Sequence, residues 1–170
     1  MLRSLKDLFG YHIQGLDGRI GPVYDFFFDD REWIMRYLVA DTGTWLPGRK
    51  VLISPVTIQE ANWADGLLYI NLTREQAQNS PEVDAEKPVS RQNEEKTADW
   101  FSYPHYWSTT PIMEPVAIKY IPGPEEESSR DKDADPHLRS AKEIIGYNIH
   151  TTDGHSGHVE DFVLEDEMWN

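Results

Sequence analysis

Leu2–Ile34 reads LRSLKDLFGYHIQGLDGRIGPVYDFFFDDREWI, and Leu138–Asn170 reads LRSAKEIIGYNIHTTDGHSGHVEDFVLEDEMWN. Superposed without gaps at an offset of 136, the stretches share 15 identities in 33 positions. Shared residues include Leu-Arg-Ser at the start, Gly10-Tyr11 with Gly146-Tyr147, and Asp17-Gly18 with Asp153-Gly154. Gly21/Gly157, Val23/Val159, Asp25-Phe26/Asp161-Phe162 and Trp33/Trp169 continue the match. Leu8/Ile144 and Asp7/Glu143 differ but keep their character. A match this long is the signature of an internal repeat: one complete copy of a module and the start of a second.

Ser4 ahead of Leu5-Lys6-Asp7-Leu8 predicts a capped helical turn closed by Gly10, since a serine hydroxyl satisfies an orphan amide at a helix start. Tyr11–Gln14 and Arg19–Asp29 read as strands of a hairpin turning at Leu16-Asp17-Gly18, with Asp-Gly suited to a type I′ turn. A further turn over Asp29–Glu32 leads into Trp33–Asp41. Strict alternation there puts Trp33, Met35, Tyr37 and Val39 on one face and Ile34, Arg36, Leu38 and Ala40 on the other. Both faces are substantially apolar, as in a strand of a small barrel with an additional layer outside. Lys50–Ser54, Val56–Ala61 and Leu67–Leu72 complete the strands, the last two joined by Ala64-Asp65-Gly66. Thr73-Arg74-Glu75-Gln76 has the form of a capping box and opens a short helix. The expected class is all-β.

The run Leu-x-x-Leu-x-Gly at Leu5–Gly10, then Asp17-Gly18-x-x-Gly21-x-Val23-x-Asp25, Trp33 and Arg36-Tyr37-Leu38-Val39, resembles the PRC-barrel family. Lys50-Val51-Leu52-Ile53-Ser54-Pro55 does so too, and the resemblance covers residues 2–72 and, in part, 138–169. Leu72–Gln76, Asn79-Ser80-Pro81, Pro88-Val89-Ser90-Arg91 and Tyr106-Trp107 look like the stand-alone bacterial subgroup with two barrel copies. The resemblance implies a small PRC-type β-barrel at 1–76, a connecting arm and acidic linker at 77–137, and a partial second copy at 138–170. It also implies a module used for binding and assembly, with no catalytic residue set to carry over. The repeat-defining positions are Gly10, Asp17, Gly18, Gly21, Asp25 and Trp33, and in the second copy Gly146, Asp153, Gly154, Gly157, Asp161 and Trp169. The second copy stops where the first continues into Met35-Arg36-Tyr37, which points to a truncated second barrel.

The 170 residues carry 16 Lys+Arg against 30 Asp+Glu, a net charge of -14. Such a balance repels phosphate backbones, so a nucleic-acid partner is not expected. By segment the charge is -2 for 1–72, -3 for 73–122, -4 for 123–137 and -5 for 138–170. The first copy is therefore nearly balanced, and acidity gathers around it. With no cysteine, disulfides and thiolate chemistry are excluded. No apolar run has the length of a membrane-spanning helix, and no secretory leader is visible, so a cytoplasmic location is expected.

Candidate chemistry is sparse. His155 and His158 invite a metal reading, but residues three apart on a strand face opposite ways, and the first copy has Arg19 and Pro22 there. They read as a solvated loop, and no metal or cofactor is expected. Asp25 and Asp161 are strand carboxylates retained in both copies and are expected to accept hydrogen bonds from turn amides. No Gly-x-Ser-x-Gly and no phosphate-binding glycine loop occurs, so an enzyme is not expected. Trp100, Phe101, Tyr103, Tyr106 and Trp107 form the candidate contact surface, either as a clasp over a barrel face or as a partner hot spot. Two functions follow as expectations: a non-catalytic protein–protein assembly module, with a homodimer or self-pairing through barrel edges in view, or a peripheral component of a photosynthetic or electron-transport complex similar to the reaction-centre H subunit.

Overall fold

The structure, a computed structural model, describes residues 1–43, 45–46, 49–79 and 137–166. The elements run β1 (Leu2–Ser4), α1 (Leu5–Leu8), β2 (His12–Gly15), β3 (Gly18–Asp29), β4 (Ile34–Asp41), β5 (Lys50–Ile53), a 3₁₀ turn (Pro55–Thr57), β6 (Ile58–Asn62), β7 (Leu67–Ile70) and α2 (Arg74–Asn79). After residue 136 come β8 (Leu138–Ser140), α3 (Ala141–Ile144), β9 (Asn148–Thr151), β10 (Gly154–His158) and β11 (Val163–Glu165). The described chain is mostly β, with short helices. No helix among the described residues is long and apolar enough to cross a membrane.

The main sheet has the strand order β5-β4-β3-β2-β7-β6, with β8 added to β3. Every ladder is antiparallel except β2–β7. Among the described residues the ladders do not close into a ring; β5 and β6 stand at the two ends of the path. The long strand β3 organises the rest. One edge carries β4 from Val23 to Asp29, while β2 lies beside its first half as far as Pro22. Beyond Pro22 the second edge would be bare, and unpaired edge amides and carbonyls invite pairing. There β8 docks, with Phe27 opposite Ser140, Phe28 opposite Arg139 and Asp29 opposite Leu138.

Of the register shifts in the main sheet, two bear on what the sequence predicted. On β4, Tyr37 lies opposite Phe27 but Met35 lies opposite Phe28, so Arg36 is an extra residue. A bulge of this kind flips the sense of alternation beyond it. Met35 therefore joins Leu38 and Ala40 in the main core, while Tyr37 and Val39 face the other side with Phe27, Leu52 and Leu138. The expectation that Met35 shares a face with Tyr37 and Val39 is corrected by that one residue. In the β2–β3 hairpin, Ile13 faces Gly21 and Gln14 faces Arg19, which leaves Ile20 as the extra residue. The tight turn is Leu16-Asp17, closed by Gly15 opposite Gly18. Among the described non-glycine residues only Trp33 has positive φ, so this is not the type I′ turn centred on Asp17-Gly18 that the dipeptide suggested.

The caps match their residue chemistry. Ser4 Oγ accepts from the Asp7 amide at 3.3 Å. At α2, Thr73 Oγ1 accepts from the Gln76 amide at 3.1 Å and Gln76 Oε1 accepts from the Thr73 amide at 2.9 Å, a complete reciprocal box. Gly21 meets a steric limit: a Cβ there would lie 1.8 Å from the Asp41 carbonyl oxygen. Only glycine lets β3 pass so close to the end of β4.

The main core joins residues from both ends of the chain. Leu5, Leu8, Ile13, Ile20, Phe26 and Leu38 are packed with Ala141 and Leu164, and Ile144 and Phe162 lie against them. Burying apolar surface contributes roughly 25 cal/mol per Å². The 138–166 segment thus completes the core of the first copy and is held to it by the same hydrophobic term.

Candidate assembly site between the two copies

The site grows from the repeated tripeptide Leu-Arg-Ser. In each copy it forms a short strand, and its serine caps the helical turn that follows. Ser140 Oγ accepts from the Glu143 amide at 3.0 Å, as Ser4 does from Asp7. A capped turn of this length still presents the free amides of its first residues, together with the serine hydroxyl proton. The amides of Leu5, Lys6 and Lys142 and both serine hydroxyls point to the other copy.

Ser140 donates to Asp25 Oδ2 at 2.6 Å, and the Lys142 amide donates to Asp25 Oδ1 at 3.1 Å. At positions offset by 136, Ser4 donates to Asp161 Oδ2 at 2.5 Å and the Lys6 amide donates to Asp161 Oδ1 at 3.0 Å. Each aspartate also accepts from the amide of its own following phenylalanine, at 2.7 Å for Phe26 and 2.8 Å for Phe162. The arrangement is reciprocal: the arm of each copy is held by the carboxylate of the other. Sequence reasoning singled out Asp25 and Asp161 as acceptors for turn amides. The structure shows that the amides belong to the opposite copy, a pairing across more than a hundred residues that no local pattern encodes.

The flanking strands repeat the exchange. β8 pairs antiparallel with the end of β3, and β1 pairs antiparallel with β11, Leu2 opposite Glu165 and Ser4 opposite Val163. Beyond them a second carboxylate closes each arm. Asp30 accepts from Arg139 Nε at 2.7 Å and lies 3.0 Å from His137 Nδ1. Asp166 accepts from Arg3 Nε at 2.9 Å and from the Met1 α-amine at 2.5 Å. Charge-assisted bonds of this kind are roughly twice as strong as neutral ones where water is excluded.

Aromatic packing binds the halves as well. Phe162 packs against Phe28 at 5.1 Å and near Trp33 at 6.4 Å, while Trp33 stacks on Phe28 at 5.4 Å. Lys142 lies over the Tyr24 ring of the first copy at 3.7 Å, while within the first copy Arg3 lies over the Trp63 ring at 4.4 Å. Aromatic pairs contribute about 0.5–1.5 kcal/mol beyond their area, and cation–π contacts about 0.5–1 kcal/mol at exposed sites.

The two halves of the exchange differ in burial. Asp25 is 2% exposed, and burial pushes its carboxyl above the ordinary aspartate value, against the hydrogen bonds from Ser140, Lys142 and Phe26. At Asp161 burial is again the largest single influence, but the bonds from Ser4, Lys6 and Phe162 together outweigh it and hold the carboxyl below the ordinary value. Asp166 is held below it chiefly by the bond from the Met1 amine, which is raised in turn. The cause is architectural. Strand β4 covers β3 beside Asp25, whereas the counterpart edge of β11 has no such strand among the described residues. Val163 is 66% exposed where its equivalent Phe27 is 4% exposed, and a Cβ on Gly157 would meet open space where one on Gly21 would clash.

The other singled-out residues fall as follows. Asp17 Oδ1 accepts from the Arg74 amide at 2.7 Å and so anchors the start of α2 to the hairpin turn. Gly10 and Gly146 take φ of +82° and +99° after the capped turns, and Gly18 and Gly154 open the return strands. Asp153 lies in the exposed turn before Gly154. His155 and His158 lie on β10 with a register shift between them, and His158 Nε2 is 3.9 Å from Glu160. Among the described residues no group of three or more His, Cys, Asp or Glu converges as a metal site would require. Trp169 and the aromatic set Trp100, Phe101, Tyr103, Tyr106 and Trp107 lie outside the described residues. The sequence reading gave Arg3, Arg139, Asp30 and Asp166 no role in pairing the copies, although all four are identities of the repeat, the one signal that could have pointed to it.

A scan against protein-family models finds no match for this chain, and a search of the curated proteins finds none either.

Proposed function

We propose that the protein is a non-catalytic binding and assembly module of the PRC-barrel type, acting through protein–protein contacts in the cytoplasm. The observation that carries this reading is the reciprocal clasp. The chemistry common to both copies of the repeat (a serine, an arginine and two aspartates in each) holds one module against the other. A buried carboxylate whose acidity is shifted is a common mark of a catalytic group. Asp25 has that shift, but its two oxygens are occupied by three donors from the protein itself. The family resemblance of residues 2–72 supports the same reading, as does a net charge of -14 that disfavours phosphate-bearing partners.

The test is the native size of the tagged chain in extracts of its source cells, followed by blue-native electrophoresis and cross-linking. An assembly above the 19.7 kDa of the chain is expected. Migration as the free chain under all conditions, with no stoichiometric partner after cross-linking, refutes the reading.

A further inference from the structure

The hydrogen bonds and strand pairings of the clasp are built wholly from residues 1–30 and 137–166, and their two halves are chemically equivalent. Each half consists of a Leu-Arg-Ser strand, a serine-capped turn, an aspartate that accepts the serine hydroxyl and the turn amide, and a second aspartate that accepts the arginine. This is the pattern of an isologous interface, in which residue i meets j and residue j meets i, with the two-fold relation generated inside one chain by the repeat. None of these bonds depends on which chain supplies the arm.

Resting on the assembly reading above, we infer that the same clasp closes between two copies of this chain. In that dimer the arm at 137–144 of one molecule docks on Asp25, Phe27–Asp29 and Asp30 of the other, and the arm at 1–8 of the second docks on Asp161, Val163–Glu165 and Asp166 of the first. Every hydrogen bond and strand pairing broken within the monomer re-forms unchanged between the two chains, so only effective concentration separates the closed monomer from the exchanged dimer. Domain swapping of identical elements is the low-cost route to a dimer for this reason. The partner recognised is therefore a second copy of this chain, read through Leu-Arg-Ser and its capped turn by strand addition plus two carboxylates.

The absence of cysteine makes the test direct. Leu2 is 70% exposed and lies opposite Glu165 in the β1–β11 ladder, where a cross-strand disulfide fits. Full-length Leu2→Cys and Glu165→Cys chains of different tag length are mixed at a few hundred micromolar, briefly opened in mild urea, and returned to glutathione redox buffer. The Leu2→Cys/Glu165→Cys double variant reports closure within one chain. Leu2→Cys mixed with Val56→Cys, whose side chain is 67% exposed on the 3₁₀ turn, reports random collision. The expected result is a mixed dimer from Leu2→Cys and Glu165→Cys at least tenfold above the Val56 control. A mixed-dimer yield equal to the Val56 control overturns the inference, whether or not the double variant closes internally. Internal closure alone leaves the assembly reading standing with a different partner, which the native-size experiment decides separately.

Discussion

Truncating Asp25 to alanine isolates the buried half of the clasp. The carboxylate is 2% exposed and accepts from Ser140 at 2.6 Å, from the Phe26 amide at 2.7 Å and from the Lys142 amide at 3.1 Å. Hydrogen bonds to a charged acceptor contribute about 1.5–3 kcal/mol each, and donors left unpaired away from water cost about 1–3 kcal/mol. Against this stands the cost of keeping a charge out of water, the influence that raises the carboxyl's pKa. The net loss for Asp25→Ala is about 3 kcal/mol, inside the ~3–5 kcal/mol seen when one partner of a buried charged network is removed. At about 2–4 °C per kcal/mol for a chain of this size, the melting temperature falls by roughly 6–12 °C. Asp25→Asn keeps the shape and an acceptor oxygen and removes the buried charge, so it stays within about 1 kcal/mol of the parent. Asp161→Ala opens its donors to water and costs below about 1 kcal/mol. Thermal unfolding followed by circular dichroism gives the order, and hydrogen exchange at the Lys142 amide reports undocking of the arm. An Asp25→Ala cost no larger than that of Asp161→Ala, or an unchanged Lys142 amide, refutes the reasoning.

Three further outcomes follow from the same geometry. Gly21→Ala forces a methyl to within 1.8 Å of the Asp41 carbonyl and costs roughly 3 kcal/mol, whereas Gly157→Ala meets open space and bears only the strain of φ +110°, about 1 kcal/mol; denaturant midpoints of the pair measure the difference. Thr73→Ala removes half of the capping box and costs about 1 kcal/mol, seen as faster exchange of the Gln76 amide with little change elsewhere. The two clasp carboxylates titrate in opposite directions from the ordinary aspartate value of 3.8. Because Asp25 is raised, the folded state takes up its proton first, and Asp25 adds stability as pH falls through that raised value. Asp161 and Asp166 are lowered, so their contribution is full above the ordinary value and lost as pH falls through the depressed ones. Carboxyl ¹³C shifts followed against pH check the order, and Asp161 protonating before Asp25 would contradict it.

Much of the local structure was legible in residues that act on near neighbours. Ser4 announced its capped turn, Thr73 and Gln76 their box, and Gly66 its turn, because each motif closes within a few residues of backbone. The faces of β4 were not legible. Alternation in Trp33–Asp41 is consistent with an unbroken strand, and the extra residue at Arg36 exists only because β3 opposite it sets the register. The hairpin turn moved to Leu16-Asp17 for the same reason: pairing on both sides of β2, with β3 and with β7, decided where the strands end.

The repeat itself, the near-neutral first copy and the excess of acid around it belong to the sequence alone, since identity and charge need no geometry to be counted. What those repeated residues are for was decided only in three dimensions. Leu-Arg-Ser and Asp25-Phe26 carry no sign of their role within their own copy. They become a site when the chain returns across more than a hundred residues and places the arm of one copy on the carboxylates of the other. Pairing at that separation is selected by burial and by the satisfaction of amides and charges that have left water, and these quantities are defined only once the tertiary structure has formed.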